Sequence, residues 1–202
     1  MHFPPQQPPS RPAPILASPY LMLFLLLLLA PCGKVRAADD EKATFDKESV
    51  VHDATAFFGK STEGLARVVE KAFRENGRPV GYIKGEEVSG AIAVGLRYGD
   101  GELKLKSGET RKVYWQGPSI GFDLGMNASR VFILVYHLSK PDNIYQRFPG
   151  VDGSLYFVAG VGMNYQRRND IVLAPIRLGV GWRTGASIGY MHYTRDKTYN
   201  PL

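Results

Sequence analysis

The side chains with the clearest potential to bind a ligand are three arginines on the small-residue side of strand-like stretches. Arg97, Arg177 and Arg183 each stand two positions from a glycine, so an extended chain puts them on the same face as that glycine. A guanidinium beside bare backbone can form a positive recess for a phosphate or carboxylate headgroup. The alternative is that these arginines lie at strand ends in solvent, or pair with acids such as Asp123.

Aromatic side chains accompany the arginines. Tyr98 follows Arg97 directly, and Trp115 lies in another strand-like stretch. Rings of this kind can contact a lipid or a glycan, although filling a core is their commoner use. The predicted ligand-binding residues are therefore Arg97, Tyr98, Trp115, Arg177 and Arg183.

The sequence displays no complete catalytic or metal-binding pattern. His52, His137 and His192 have no partner at a metal-ligand spacing. Glu86 and Glu87 are adjacent, so an extended chain sends them to opposite faces, where they make a poor acid–base pair. The letters G-x-S-x-G occur twice, but no histidine is linked by pattern to either serine. We therefore expect no catalytic residue, no metal and no cofactor.

The elements that must position the ligand-binding residues are strands. Five stretches alternate bulky apolar residues with glycine or another small residue, and a period of two is typical of strands. Glycine weakens a strand, so its repeated use on one face indicates sharp bending or the close approach of another element or ligand. The pattern predicts a mainly β protein, a small and strongly curved antiparallel β-barrel over residues 79–193. The five stretches are 92–98, 120–127, 157–163, 176–182 and 188–190.

Shorter signals add detail to the predicted barrel. Asp100-Gly101 and Ser107-Gly108 each predict a hairpin turn. The continuous apolar run at 131–136 predicts a strand buried on both faces.

Two short amphipathic helices are predicted before the barrel, within residues 48–76. The first ends near Gly59, and the second can be capped by Ser61 or Thr62 and stops at Gly77. Their apolar faces predict that they cover a sheet or plug an open barrel end. A position on a membrane surface is the alternative.

The N-terminal region is typical of an export signal. Residues 21–30 form an apolar block too short to span a bilayer, and Val35-Arg36-Ala37 fits a leader-peptidase site. We predict a leader and disordered prefix at 1–37 and a single exported domain at 38–202, located in the periplasm. An uncleaved anchor, or lipidation at Cys32, are the alternatives. Cys32 is the only cysteine, so the exported domain would need no disulfide.

The charge of the predicted mature chain restricts its partners. Without the leader, 22 basic side chains face 19 acidic ones, a net charge of +3. This mild excess gives no reason to expect nucleic acid, and it is compatible with an anionic lipid or a polyanionic cell wall. We expect an envelope lipid or cell-wall component as partner, with peripheral contact to a membrane.

Several motifs resemble the envelope integrity protein A family of Gram-negative envelope proteins. The resemblance extends over about residues 79–193, and it implies an exported protein with a small β-barrel, a role in maintaining the envelope and no established biochemical activity. The motifs are Gly-Tyr-Ile-Lys-Gly-Glu-Glu at 81–87, Gly-Leu-Arg-Tyr-Gly at 95–99, Tyr-Trp-Gln-Gly-Pro-Ser-Ile-Gly-Phe-Asp at 114–123, Arg-Phe-Pro-Gly-Val-Asp-Gly-Ser at 147–154 and Leu-Ala-Pro-Ile-Arg at 173–177.

A more distant similarity is to SYLF lipid-binding domains. These also begin with helices and continue with a glycine-rich strand pair, a Ser-Ile-Gly-Phe-x-x-Gly element, here at 119–125, and an aliphatic strand, here at 131–136. The similarity implies binding of acidic phospholipids. No lipid-contacting residue of that family is identified by motif in this chain.

Together these features predict a non-enzymatic periplasmic protein that supports cell-envelope integrity by binding a lipid or another amphiphilic envelope component. A small outer-membrane β-barrel is one alternative, with bulky faces toward lipid. The leading helices and the non-aromatic terminus Asn200-Pro201-Leu202 argue against it. A cell-wall hydrolase is the other alternative, and it would need paired carboxylates or a nucleophile–base couple that the sequence does not display.

Overall fold

The computed structural model describes residues 43–60, 62–92, 94–120, 127–179 and 189–198. These ranges do not include the predicted leader, Arg183, Asp123 or the C-terminal residues 200–202. The described chain begins with helices α1 (Lys47–Phe58) and α2 (Glu63–Asn76), and a short 3-10 helix (Pro141–Ile144) lies between the fourth and fifth strands. The strands are β1 (Gly81–Ile92), β2 (Val94–Leu105), β3 (Thr110–Ile120), β4 (Asn127–Tyr136), β5 (Arg147–Pro149), β6 (Tyr156–Val158), β7 (Val161–Met163), β8 (Gln166–Arg168), β9 (Ile171–Leu178) and β10 (Tyr190–Thr194).

Local signals fix where both helices begin and end. The Asp46 side chain accepts a hydrogen bond from the Ser49 backbone N–H at 2.8 Å, which caps α1, and Gly59 ends it with a φ of 72°. Thr62 caps α2 through the Leu65 N–H at 3.1 Å, so of the two predicted caps Thr62 is the one used. Across the described ranges, no helix combines the length and apolarity needed to cross a membrane.

The strands form one antiparallel sheet that curls on itself. Their order is β5-β10-β3-β2-β1-β4-β9-β7-β6, and β8 also pairs with β9. A bridge between Gly150, just after β5, and Gln166 of β8 brings the two sides of the sheet together at one corner. The result is a curled half-barrel preceded by two helices, which confirms the predicted fold class.

The sheet is buried on both faces at β4, and the two faces form separate apolar cores there. On the outer face, Phe132, Leu134 and Tyr136 of β4 pack against both helices. On the concave face, Val131, Ile133 and Val135 of the same strand meet side chains from β2, β3, β5 and β10. The prediction of a strand buried on both sides is confirmed, and the helices cover the sheet, the first of the two arrangements predicted for them.

The glycines of β1 and β2 allow Trp115 to lie against the backbone. A Cβ atom added at Gly99 would overlap the indole ring, and one at Gly85 would reach its far edge at 2.5 Å. Of the two predicted reasons for glycine on one face, close approach of another element therefore applies here.

Three local predictions differ from the structure. The stretch 92–98 is divided between β1, which ends at Ile92, and β2, which begins at Val94. Asp100-Gly101 lies inside the continuous strand β2, where Gly101 pairs with Gly85 and a Cβ would overlap the backbone of β1, so the glycine serves close strand contact rather than a turn. The stretch 157–163 is a hairpin of β6 and β7, because Ala159 and Gly160 adopt φ values of 48° and 78° and reverse the chain. Ser107-Gly108 does form the turn between β2 and β3, with Gly108 at a φ of 92°.

Candidate functional site

Two of the predicted arginines meet a buried carboxylate on the concave side of the half-barrel. Arg177 of β9 binds Glu87 of β1 through two bonds: its Nε donates to Oε1, and its Nη2 donates to Oε2 at 3.2 Å. The Arg97 Nε lies 3.6 Å from the same Oε1. Trp115 Nε1 donates to Glu87 Oε2 at 3.4 Å, and Arg177 Nη1 donates to the Asn164 side-chain oxygen at 3.3 Å. We call Glu87, Arg97 and Arg177 the interior ion cluster.

The cluster is almost completely removed from solvent. The side chains of Glu87, Arg97 and Arg177 are 3%, 7% and 8% exposed. Burial raises the pKa of Glu87, but attraction to Arg177 and Arg97 outweighs it, so the pKa lies below its ordinary value. Burial lowers the pKa of Arg177, and the charge and hydrogen bonds of Glu87 raise it further than burial lowers it. Both groups therefore stay charged at neutral pH.

The structure separates the predicted ligand-binding residues into two places. Arg97, Arg177 and Trp115 converge on the concave side, whereas Tyr98 points to the outer face because strand residues alternate. Glu87 is the participant that the sequence reasoning missed, since it considered Asp123 as the partner acid. The available signal was spacing: Glu87 stands two positions from Gly85, on the glycine side of β1.

A groove lies on the outer face of β1, β2 and β3, with the segment that follows β10 as one wall. Its volume is about 180 Å³. It combines aromatic rings, carboxylates, an amide, hydroxyls and one ammonium group. The lining residues are Glu86, Val88, Tyr98, Gly99, Asp100, Tyr114, Trp115, Gln116, Ala128, Thr194, Lys197 and Thr198. We call this feature the outer groove.

The charges of the outer groove are locally balanced. Lys112 Nζ donates to Asp100 Oδ2 at 2.6 Å, and this hydrogen bond raises the pKa of Lys112. Arg130 Nε lies 3.9 Å from Glu86 Oε1. All four side chains are more than half exposed, so water screens both pairs.

Large apolar side chains remain exposed at the outer groove. Val88 lines it and is 36% exposed, and Leu96, two positions from Tyr98 on the same side of β2, is 39% exposed. Val88 and Tyr98 are directly opposite each other in the β1–β2 pairing, so these side chains form a continuous surface. In the part of the chain that the structure describes, no group of three or more His, Cys, Asp or Glu side chains could hold a metal ion.

Comparison with known proteins identifies the family. The model of the envelope integrity protein A (EipA) family matches residues 43–202. The chain belongs to this family. EipA membership implies a role in envelope integrity, and it confirms the resemblance carried by the motifs. The similarity to SYLF domains stays a prediction.

A solved structure supports the EipA fold. It is the crystal structure of a beta-barrel-like, uncharacterized protein from Brucella abortus, with 48% sequence identity and a TM-score of 0.73. The alignment covers 79% of this chain and 99% of that one. None of the curated proteins matches this chain.

Proposed function

We propose that this EipA-family protein is a non-enzymatic periplasmic protein that supports envelope integrity by binding a lipid or another amphiphilic envelope component at the outer groove. One observation carries the proposal: a polar groove and exposed apolar side chains adjoin on one face of the sheet. An amphiphile presents the same combination, a polar headgroup joined to an apolar part. Val88 and Leu96 would contact the apolar part, and the groove would receive the headgroup.

The predicted ligand-binding residues take two roles in this proposal. Tyr98 lines the groove and contacts the ligand, whereas Trp115 borders the groove and its buried ring supports it from the concave side. Arg97 and Arg177 act as positioning residues, because they hold Glu87, which accepts the hydrogen bond of the Trp115 indole. Arg183 stays a predicted contact.

The contribution of the apolar contacts is modest. Full burial of a valine or leucine side chain contributes about 1.5–3 kcal/mol. Val88 and Leu96 retain little more than a third of their exposure, so covering both contributes on the order of 1–2 kcal/mol. Binding at this surface therefore depends on the headgroup as well.

A flotation experiment tests the binding. The exported protein is mixed with vesicles made from the total lipid extract of a Gram-negative envelope, and the floating fraction is measured. We expect wild-type protein to float and the double variant Val88→Ser, Leu96→Ser to stay in the soluble fraction. The matched control is Val151→Ser, Leu155→Ser, because these side chains are equally exposed, at 39% and 38%, in a loop after β5. Equal behaviour of the two double variants would contradict the proposed surface.

The location has its own test. Osmotic shock of cells that produce the full chain should release the protein, and its mass should be reduced by the predicted leader 1–37. Retention in the spheroplast fraction after shock would contradict a periplasmic location.

A further inference from the structure

We infer that the outer groove binds a sugar ring, so that the amphiphilic partner of this protein carries a carbohydrate headgroup. The inference rests on the proposed function and specifies its ligand. It depends on the size of the groove, the kinds of side chain that line it and its charge balance.

The size of the groove fits one six-membered ring. Its volume is about 180 Å³. An engineered apolar cavity of about 150 Å³ holds one benzene ring. A pyranose ring with its hydroxyl groups is slightly larger than benzene, so a single ring fits.

The lining of the outer groove offers partners for both the C–H face and the hydroxyl groups of a sugar. Tyr98 and Tyr114 supply aromatic rings, against which the C–H face of a pyranose packs. Glu86 and Asp100 supply carboxylate oxygens that accept hydrogen bonds from hydroxyl groups. A carboxylate has about four lone-pair sites, so Asp100 can hold Lys112 and accept from a hydroxyl group at the same time.

Donors for the sugar oxygens come from another part of the groove. Lys197 carries an ammonium group that donates, and Thr198 carries a hydroxyl that both donates and accepts. The Thr194 hydroxyl donates to the Asp196 carbonyl at 2.9 Å and can accept from a ligand, whereas Gln116 is almost completely buried. Mixed donors and acceptors around aromatic rings suit a neutral polyhydroxyl compound, which itself carries both functions on every hydroxyl group.

The charge balance argues against a phosphate headgroup in this groove. Two carboxylates line it and one ammonium group, that of Lys197. The nearby Lys112 and Arg130 are engaged by those carboxylates. Sites for phosphate usually present arginine forks or several backbone N–H groups to the anion. The arginines of the interior ion cluster face the other side of the sheet.

The test compares two amphiphiles with the same alkyl chain. Octyl β-glucoside and octyl phosphate are titrated, below their critical micelle concentrations, into full-length protein that carries Trp182→Phe. Trp115 is then the only tryptophan, and its fluorescence reports on the groove because its ring lies against Gly99, which lines the groove. We expect saturable binding of the glucoside and at least about tenfold weaker binding of the phosphate.

Variants locate the site. Tyr98→Ala should weaken glucoside binding by about tenfold, because a stacking ring is lost. The matched control is Tyr156→Ala in β6, whose ring contacts Lys71 of α2, and it should bind like the parent protein. Equal loss in both tyrosine variants would overturn the assignment to the outer groove.

The outcomes separate this inference from the proposed function. If octyl phosphate binds and octyl β-glucoside does not, the headgroup is anionic, so the sugar inference fails and amphiphile binding stands. If wild-type protein floats with envelope-lipid vesicles but the glucoside fails to bind, the sugar inference fails alone. If neither amphiphile binds and the protein does not float, both fail.

Discussion

Glu86 and Glu87 are neighbours in β1, yet they belong to two regions that use charge in opposite ways. The Glu86 side chain is 69% exposed and lies 3.9 Å from Arg130 at the edge of the outer groove. The Glu87 side chain is 3% exposed and is bound by Arg177 through two bonds in the interior ion cluster. A step of one position along a strand reverses the face. The comparison shows that one sheet carries a buried ion cluster on one side and, on the other, the exposed groove that we propose as a binding surface.

The energetic consequences differ accordingly. Exposed pairs contribute about 0–1 kcal/mol, because water screens the charges and the side chains lose freedom when they pair. Removal of one member of a buried pair leaves an uncompensated charge and costs about 3–5 kcal/mol. The interior ion cluster should therefore control stability, and the outer groove should control binding.

The largest expected effect follows from removing Arg177. Arg177→Met leaves Glu87 buried without its bidentate partner, and we expect the free energy of unfolding to fall by about 3–5 kcal/mol. Urea denaturation followed by circular dichroism measures it. Lys112→Met removes the exposed pair with Asp100 on the outer face, and it should lower the free energy of unfolding by no more than about 1 kcal/mol.

A double variant makes this prediction sharper. Adding Glu87→Gln to Arg177→Met removes the isolated charge, so part of the lost stability should return. Equal losses for Arg177→Met and Lys112→Met would show that the interior ion cluster has no special structural role.

The second largest effect on stability is expected from replacing Gly99. Gly99→Ala places a methyl group where the Trp115 indole lies, and we expect a loss of about 1–3 kcal/mol from overpacking. Thermal unfolding measures it. In a background of Trp115→Leu, where the ring is gone, the same alanine should cost much less, and an unchanged cost in that background would exclude the steric cause.

The acid dependence of stability tests the charged state of Glu87. The pKa of Glu87 in the folded protein lies below its ordinary value of 4.5. Such a carboxylate contributes stability above pH 4.5, and this contribution is lost as the pH falls through the lower folded value. Glu87→Gln should therefore show a flatter decline of unfolding free energy below pH 4.5 than wild type. Chemical denaturation at stepped pH measures the slope, and equal slopes for Glu87→Gln and wild type would contradict the prediction.

The period-two pattern predicted much of this arrangement. It placed Arg97 on the glycine face of β2, and it separated Glu86 from Glu87. The helix boundaries followed from Gly59 and Thr62, because caps are local signals. These features depend on residues a few positions apart, so sequence spacing contains them.

Other features depended on contacts between distant parts of the chain. Glu87 and Arg177 are 90 positions apart, and they meet because β4 pairs with both β1 and β9. Asp100-Gly101 carries a local turn signal, but the approach of β1 at Gly85 explains its glycine better. Spacing alone cannot reveal which strands become neighbours, and for this reason the outer groove was not predicted as a unit.

The smallest effect on stability is expected at Tyr98, and it tests the division between the two regions most directly. Its ring lies on the partly exposed outer face, so Tyr98→Ala should lower the unfolding free energy by no more than about 1 kcal/mol. Trp115→Ala, which removes a ring 2% exposed in the concave core, should cost about 3–5 kcal/mol. Both are measured by urea denaturation. If Tyr98→Ala destabilised the fold as strongly as Trp115→Ala, the outer face would be part of the structural core. Weaker ligand binding by Tyr98→Ala would then no longer identify a binding site.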